Sequence, residues 1–95
     1  MDESSPSDAA LVELLSLTVT VNRLGATFYR NHLGQAHRTL GPAVIYPNGS
    51  VCWYHLGQRH RTDGPAVEGV NGRNHWFIHG HELTEEEFNE RIKSV

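Results

Sequence analysis

The chain has 95 residues, 38% of them hydrophobic and 20% charged, with a net charge of −3. That balance fits one globular domain near the lower end of what builds its own core, and excludes a disordered chain. The single cysteine, Cys52, excludes an internal disulfide and a cysteine-based zinc site, and no apolar run approaches the roughly 20 residues a membrane helix needs.

In chain order, MDESSPSDAA is acidic and lacks the positive start of a secretory signal, so a reducing, cytoplasmic location is expected. Ser5-Pro6-Ser7-Asp8 resembles a helix N-cap with proline at the first helical position, and Leu11, Leu14 and Leu15 give the helix one apolar face. Thr18-Val19-Thr20-Val21 switches to a period of two and predicts a strand, followed by a turn over Asn22 to Gly25.

A repeat then takes over. Leu33-Gly34-Gln35, His37-Arg38-Thr39, Gly41-Pro42-Ala43-Val44 and Asn48-Gly49 all recur 23 residues later, as Leu56-Gly57-Gln58, His60-Arg61-Thr62, Gly64-Pro65-Ala66-Val67 and Asn71-Gly72. The same shift carries Trp53-Tyr54 onto Trp76-Phe77, so a third copy begins near residue 74 and breaks off after Gly80, where a helix starts. Phe28-Tyr29 in the first copy is slightly out of register, which suggests a bulge. Each Asn-Gly pair predicts a type I′ hairpin turn, with positive φ at both central residues. Gly34, Gly57 and Gly80 mark the next reversal. Thr84-Glu85-Glu86-Glu87 fits a capping box, Leu83 and Phe88 a hydrophobic staple, and Phe88 and Ile92 an apolar stripe.

The predicted fold is therefore mainly β (α+β): a single domain built as an antiparallel meander of β-hairpin repeats with a short helix at each end. Residues 1–17 form the acidic N-terminal segment and helix, 18–81 a sheet of five to seven strands, and 83–93 the C-terminal helix. Two short helices cannot cover both faces. The open face is expected to carry some of Tyr29, Tyr46, Trp53, Tyr54, Trp76 and Phe77, an aromatic surface suited to a partner or a self-interface.

Charge is segregated. Residues 1–16 carry −4 through Asp2, Glu3, Asp8 and Glu13; residues 17–81 carry +4, six arginines against Asp63 and Glu68; residues 82–95 carry −3. The string His60-Arg61-Thr62-Asp63 looks like a site, but the first copy has Leu40 in place of Asp63, and no phosphate loop or nucleophile constellation accompanies it. The expected roles are structural. His37 and His60 bond turn carbonyls, the arginines span to a neighbouring repeat's backbone with a fork that lysine lacks, and Asp63 accepts from turn amides. His75, His79 and His81 cluster near the last strand, with His79 and His81 alternating on one face; with only Glu82 and Glu85 to join them, no metal site is expected, nor any cofactor or catalytic residue.

The pattern Trp-Tyr-x-x-Gly-x-x-His-Arg-x-Asp-Gly-Pro-Ala-Val followed by an aromatic and Asn-Gly resembles short MORN-like repeats of phage, prophage and large-DNA-virus proteins. Residues 53–72 carry it best, residues 34–52 less well because of Leu40, and residues 74–80 in part. The resemblance implies a β-hairpin repeat sheet of phage or mobile-element origin and brings no catalytic residue with it. The expected function is a non-enzymatic protein-binding module that blocks a host defence complex such as a CRISPR effector, and a homodimer is expected. The interface residues are Trp53, Tyr54, Trp76 and Phe77, with Arg59 and the acidic Glu85, Glu86 and Glu90. The alternatives are a nucleic-acid-binding sheet face and a purely structural or assembly role.

Overall fold

Nine short strands, all paired antiparallel, make up most of the computed structural model, which describes residues 12, 13 and 15–93. They are β1 (Thr18–Val21), β2 (Thr27–Arg30), β3 (Val44–Ile45), β4 (Val51–Cys52), β5 (Tyr54–His55), β6 (Gln58–Arg59), β7 (Val67–Glu68), β8 (Asn74–Ile78) and β9 (His81–Leu83). Seven of them form one sheet in the order β1-β2-β3-β4-β7-β8-β9, while β5 and β6 pair only with each other. The chain is a mainly β antiparallel meander closed by a C-terminal helix, α1 (Glu85–Lys93).

The two turns of each repeat thus do different work. The Asn-Gly hairpins build the sheet, with Val44 opposite Cys52 and Val67 opposite His75. The second turn bonds to the neighbouring repeat: Gly57, which closes the separate β5–β6 hairpin, donates its N–H to the carbonyl of Ala36 at 2.9 Å, and Gly80, between β8 and β9 of the main sheet, donates to that of Arg59 at 2.8 Å.

The repeat is offset by 24 residues at one place. Tyr29 and Trp53 donate to Ala43 and Ala66, and their own carbonyls accept from His37 and His60. Tyr29 is therefore the counterpart of Trp53, and the extra residue lies in the turn Asn31 to Gly34. There the Asn31 side-chain carbonyl bonds the amides of Leu33 and Gln35.

The Asn-Gly turns differ from each other. Asn71 (φ 61°) and Gly72 (φ 74°) form the expected type I′ pair. At the first turn only Gly49 has positive φ, 94°. Pro47 precedes Asn48 there; its ring fixes φ at about −65° and favours a type I turn with a bulge at the glycine. The Gly49 N–H to Tyr46 carbonyl bond and the Tyr46 N–H to Ser50 carbonyl bond complete that arrangement.

The core is thin. Among the described residues Ala26, Ala43, Val44, Cys52, Ala66, Ile78 and Phe88 are buried, and no large side chain is fully so. Helix α1 packs on β8 and β9 through Phe88, 4% exposed, whereas Ile92 at the end of the stripe is exposed. The capping box forms in both directions: Glu87 N–H donates to Thr84 Oγ1 and Thr84 N–H to Glu87 Oε1. The helix does not start at Gly80, because β9 first pairs back on β8.

At the other end, residues 12, 13, 15 and 16 are helical. The expected cap at Ser5 to Asp8 and the apolar positions Leu11 and Leu14 lie outside the described residues. Leu15 is 87% exposed, so it does not form the buried face expected of it. Instead Glu13 reaches the loop between β2 and β3, accepting from the amide of Thr39 at 2.8 Å and from the Thr39 hydroxyl.

Among the described residues no helix is long and apolar enough to cross a membrane.

Candidate functional site: an arginine and histidine groove

The repeated Gly-Pro-Ala and His-Arg segments place one guanidinium per repeat against one aromatic ring. Arg38 lies 4.1 Å from the centroid of Tyr29 and Arg61 3.9 Å from that of Trp53. The opposite side is closed by glycine: a Cβ at Gly41 would stand 2.9 Å from Arg38 Cζ, and at Gly64 3.1 Å from Arg61 Cζ. Each fork also donates within its own repeat, to the carbonyl of Pro42 at 3.4 Å and of Pro65 at 3.1 Å. The arginines therefore clamp their own repeat rather than spanning to the next one. A planar cation held between a ring and backbone fits arginine and excludes lysine.

The two clamps differ in their acids. Asp63 accepts from Arg61 Nε at 2.7 Å, and Glu68 from the same guanidinium at 3.3 Å. The role expected of Asp63 is corrected here: its partner is the arginine, not a turn amide. In the first repeat Leu40 and Ile45 stand at those positions, and Arg38 Nε is buried without a partner; so is Trp53 Nε1.

The histidines connect the repeats, as acceptors rather than as the expected donors to turn carbonyls. His37 Nδ1 accepts the backbone N–H of Leu56 at 3.0 Å, and His60 Nδ1 that of His79 at 2.9 Å. Both donors sit at positive φ, 52° and 48°, an uncommon setting for residues other than glycine. The imidazole of one repeat thus fixes the strained turn of the next, and the acceptor role leaves the proton on Nε2.

These rings form a row. Centroids are 4.9 Å apart for His37 and His55, 5.8 Å for His55 and His60, and 4.2 Å for His60 and His79. Burial, and then the neighbouring imidazoles, hold His55 and His60 below the usual histidine range. Glu13 stands at the start of the row, 3.4 Å from His37 Nε2. Burial raises its carboxyl, but the Thr39 hydroxyl and amide and nearby His37 outweigh that and leave it below the usual range. Arg38, Leu40, Trp53, His55, Arg61 and His79 line an open groove of about 470 Å³.

The C-terminal histidines do not converge. His79 is in a turn and stacks on His60, His75 pairs with Glu82 at 2.9 Å, and His81 is exposed on β9. Among the described residues no group of three or more His, Cys, Asp or Glu is placed to hold a metal ion.

The eight interface residues fall in separate places. Trp53 lines the groove beneath Arg61. Tyr54, Arg59 and Phe77 meet around a shallow hollow of about 330 Å³, with exposed Arg59 5.9 Å from the Tyr54 ring and 5.4 Å from Phe77. Trp76 is half-buried opposite Leu83, and Glu85, Glu86 and Glu90 are exposed on α1. Of the aromatics expected on an open face, only Tyr46 is exposed; the others are half-buried. Tyr29 and Trp53 each lie under a guanidinium.

Sequence reasoning missed the alignment of His55 and His79 with the repeat histidines, and missed Arg38 as the unpaired member of the set. The signal for Arg38 was present in the replacement of Asp63 by Leu40. No protein-family model, curated protein or solved structure matches this chain.

Proposed function

We propose that this chain is a non-catalytic β-hairpin repeat module that acts by binding a protein partner. The observation that carries this reading is the use of the chemically able residues inside the fold. His60 Nδ1 is occupied by a backbone amide, and Arg61 is engaged by Trp53, Pro65, Asp63 and Glu68. A general base or electrophile must have such groups free toward substrate. What remains open lies where the copies differ: Arg59, at the position of Ala36, over half-buried Tyr54 and Phe77, and the acidic outer face of α1. An arginine beside aromatic rings is the composition of an interface centre.

The nucleic-acid alternative needs open ring faces for base stacking. Tyr29 and Trp53 already carry a guanidinium on one face each, which favours the protein reading.

The likeness to phage repeats suggests the partner class, a host defence complex such as a CRISPR effector in the bacterial cytoplasm, with the chain acting as a homodimer. The test expresses the chain in cells whose CRISPR effector targets a reporter plasmid. Transformation should recover with the native chain and fall back with Arg59→Ala/Phe77→Ala. Recovery that is unchanged in that variant, or salt-sensitive nucleic-acid binding without protein capture, would overturn the reading. Sedimentation velocity over a concentration series checks the dimer, which an invariant monomer coefficient excludes.

A further inference from the structure

The second repeat shows what its arginine takes as a ligand. Asp63 Oδ1 meets Arg61 Nε at 2.7 Å while the Asp63 side chain remains 75% exposed, so the bond is made from the solvent side. The first repeat holds its guanidinium the same way, over Tyr29, against Gly41 and onto the Pro42 carbonyl. It lacks the acids. Among the described residues no ion pair reaches Arg38, and its Nε is buried without a partner. Glu13, which docks on this repeat, is bonded to Thr39 and paired with His37 instead. Leu40, at the position of Asp63, is 64% exposed and lines the groove beside Arg38.

We infer that Arg38 is a docking point for a carboxylate of the protein partner, an Asp or Glu side chain that takes at Arg38 the place Asp63 holds at Arg61. This rests on the protein-binding reading above and names the chemistry of the partner. Both repeats present the same stacked fork, and a stacked fork selects a planar acceptor in its own plane, which a carboxylate supplies. The guanidinium is already immobilised, so the ligand orders little on binding.

The arginine Nε–H signals in nitrogen–proton correlation spectra test this directly, because Nε is the atom without a partner. The full chain is titrated with a capped Gly-Asp-Gly peptide, the matching Gly-Asn-Gly peptide, acetate and inorganic phosphate. The Asp peptide should shift the Arg38 Nε–H signal saturably, and the Asn peptide should leave it in place. Leu40→Asp supplies the carboxylate internally and should weaken the Asp peptide by about tenfold or more, the loss of one charge-assisted hydrogen bond. Asp63→Leu with Glu68→Gln should make the Arg61 signal respond as well, and circular dichroism confirms that both variants are folded. An unmoved Arg38 signal, or equal binding by Leu40→Asp, overturns the proposal. Acetate binding as tightly as the peptide overturns the assignment to a protein side chain, and tighter phosphate binding overturns the carboxylate. The titration needs no cellular partner. Failure of the plasmid assay with a positive titration therefore sinks the host-defence partner and leaves the carboxylate site, and the reverse result sinks only the Arg38 site.

Discussion

His60 and His79 are joined twice: the Nδ1 of His60 accepts the backbone N–H of His79 at 2.9 Å, and their rings stack at 4.2 Å. Protonation of His60 would remove the acceptor and set a cation against its neighbours. The effect on stability has a definite sign. Burial, then His79 and His55, hold His60 below its ordinary value near 6.5, so the unfolded chain takes up the proton first. The stability is complete above about pH 6.5 and is lost as pH falls through the folded value. His55 acts in the same direction, through burial and then His37 and His79. Glu13, also held low, contributes a second loss in the acid range below the ordinary carboxylate value of 4.5. Melting temperature measured against pH should therefore fall in two stages. His60→Asn keeps an acceptor but cannot take up a proton, and should flatten the first stage only. An unchanged slope just below about pH 6.5 would remove His60 from the account.

Arg61 gives a prediction on the clamp. Arg61→Lys preserves charge but gives up the planar stack on Trp53 and the fork shared by Asp63, Glu68 and the Pro65 carbonyl. The expected loss is about 1–3 kcal/mol in chemical denaturation, from cation–π and hydrogen-bond terms together. Trp53 fluorescence should change in the folded state, since the indole loses the cation 3.9 Å from its ring. A lysine variant as stable as the native chain would mean that the charge alone matters.

The meander was legible because its determinants are local. The Asn-Gly signals, the alternation of Val19 and Val21 and the Thr84 to Glu87 capping box each act within a few residues, and each forms where the spacing puts it. The 23-residue copy number also exposed the structural duty of His60 and Arg61. Their partners were not legible. Whether His60 bonds a carbonyl or an amide depends on which backbone group the next repeat turns toward it, here the amide of His79 at positive φ. Likewise the aromatics read as exposed because the pattern cannot show that Arg38 and Arg61 fold back over Tyr29 and Trp53. Leu15 read as part of an apolar face on helical spacing, yet it is exposed and Glu13 is the residue that reaches the loop between β2 and β3, drawn by Thr39 and His37.

The two Asn-Gly turns should respond differently to the same change. Asn71 has φ 61°, a left-handed setting that asparagine adopts more readily than alanine because its short polar side chain can bond the local backbone, so Asn71→Ala is expected to destabilise by about 1–2 kcal/mol. Asn48 has no positive φ and loses only its acceptor for the Ser50 amide at 2.9 Å, so Asn48→Ala should fall short of that, at about 0.5–1 kcal/mol. Asn71→Gly should be tolerated, which separates a backbone effect from loss of the side chain. Equal losses at the two positions would contradict the assignment of different turns.

The last prediction concerns Arg38, whose Nε is buried without a hydrogen-bond partner. Leu40→Asp replaces an exposed leucine with the residue that the second repeat uses, and gives Arg38 Nε the acceptor it lacks. A buried donor without a partner costs about 1–3 kcal/mol, most of which the aspartate should recover. Glu13 opposes it, because that carboxylate already accepts from the neighbouring Thr39 amide and would repel a second negative charge. The net expectation is a gain of about 1 kcal/mol, a rise of roughly 4–8 °C in Tm for a domain of this size. Removing the opposing charge with Glu13→Gln should enlarge the gain from Leu40→Asp, and the double-mutant cycle isolates that coupling. A Tm that falls in Leu40→Asp, in both the native and the Glu13→Gln background, would show that Arg38 is satisfied without an acid.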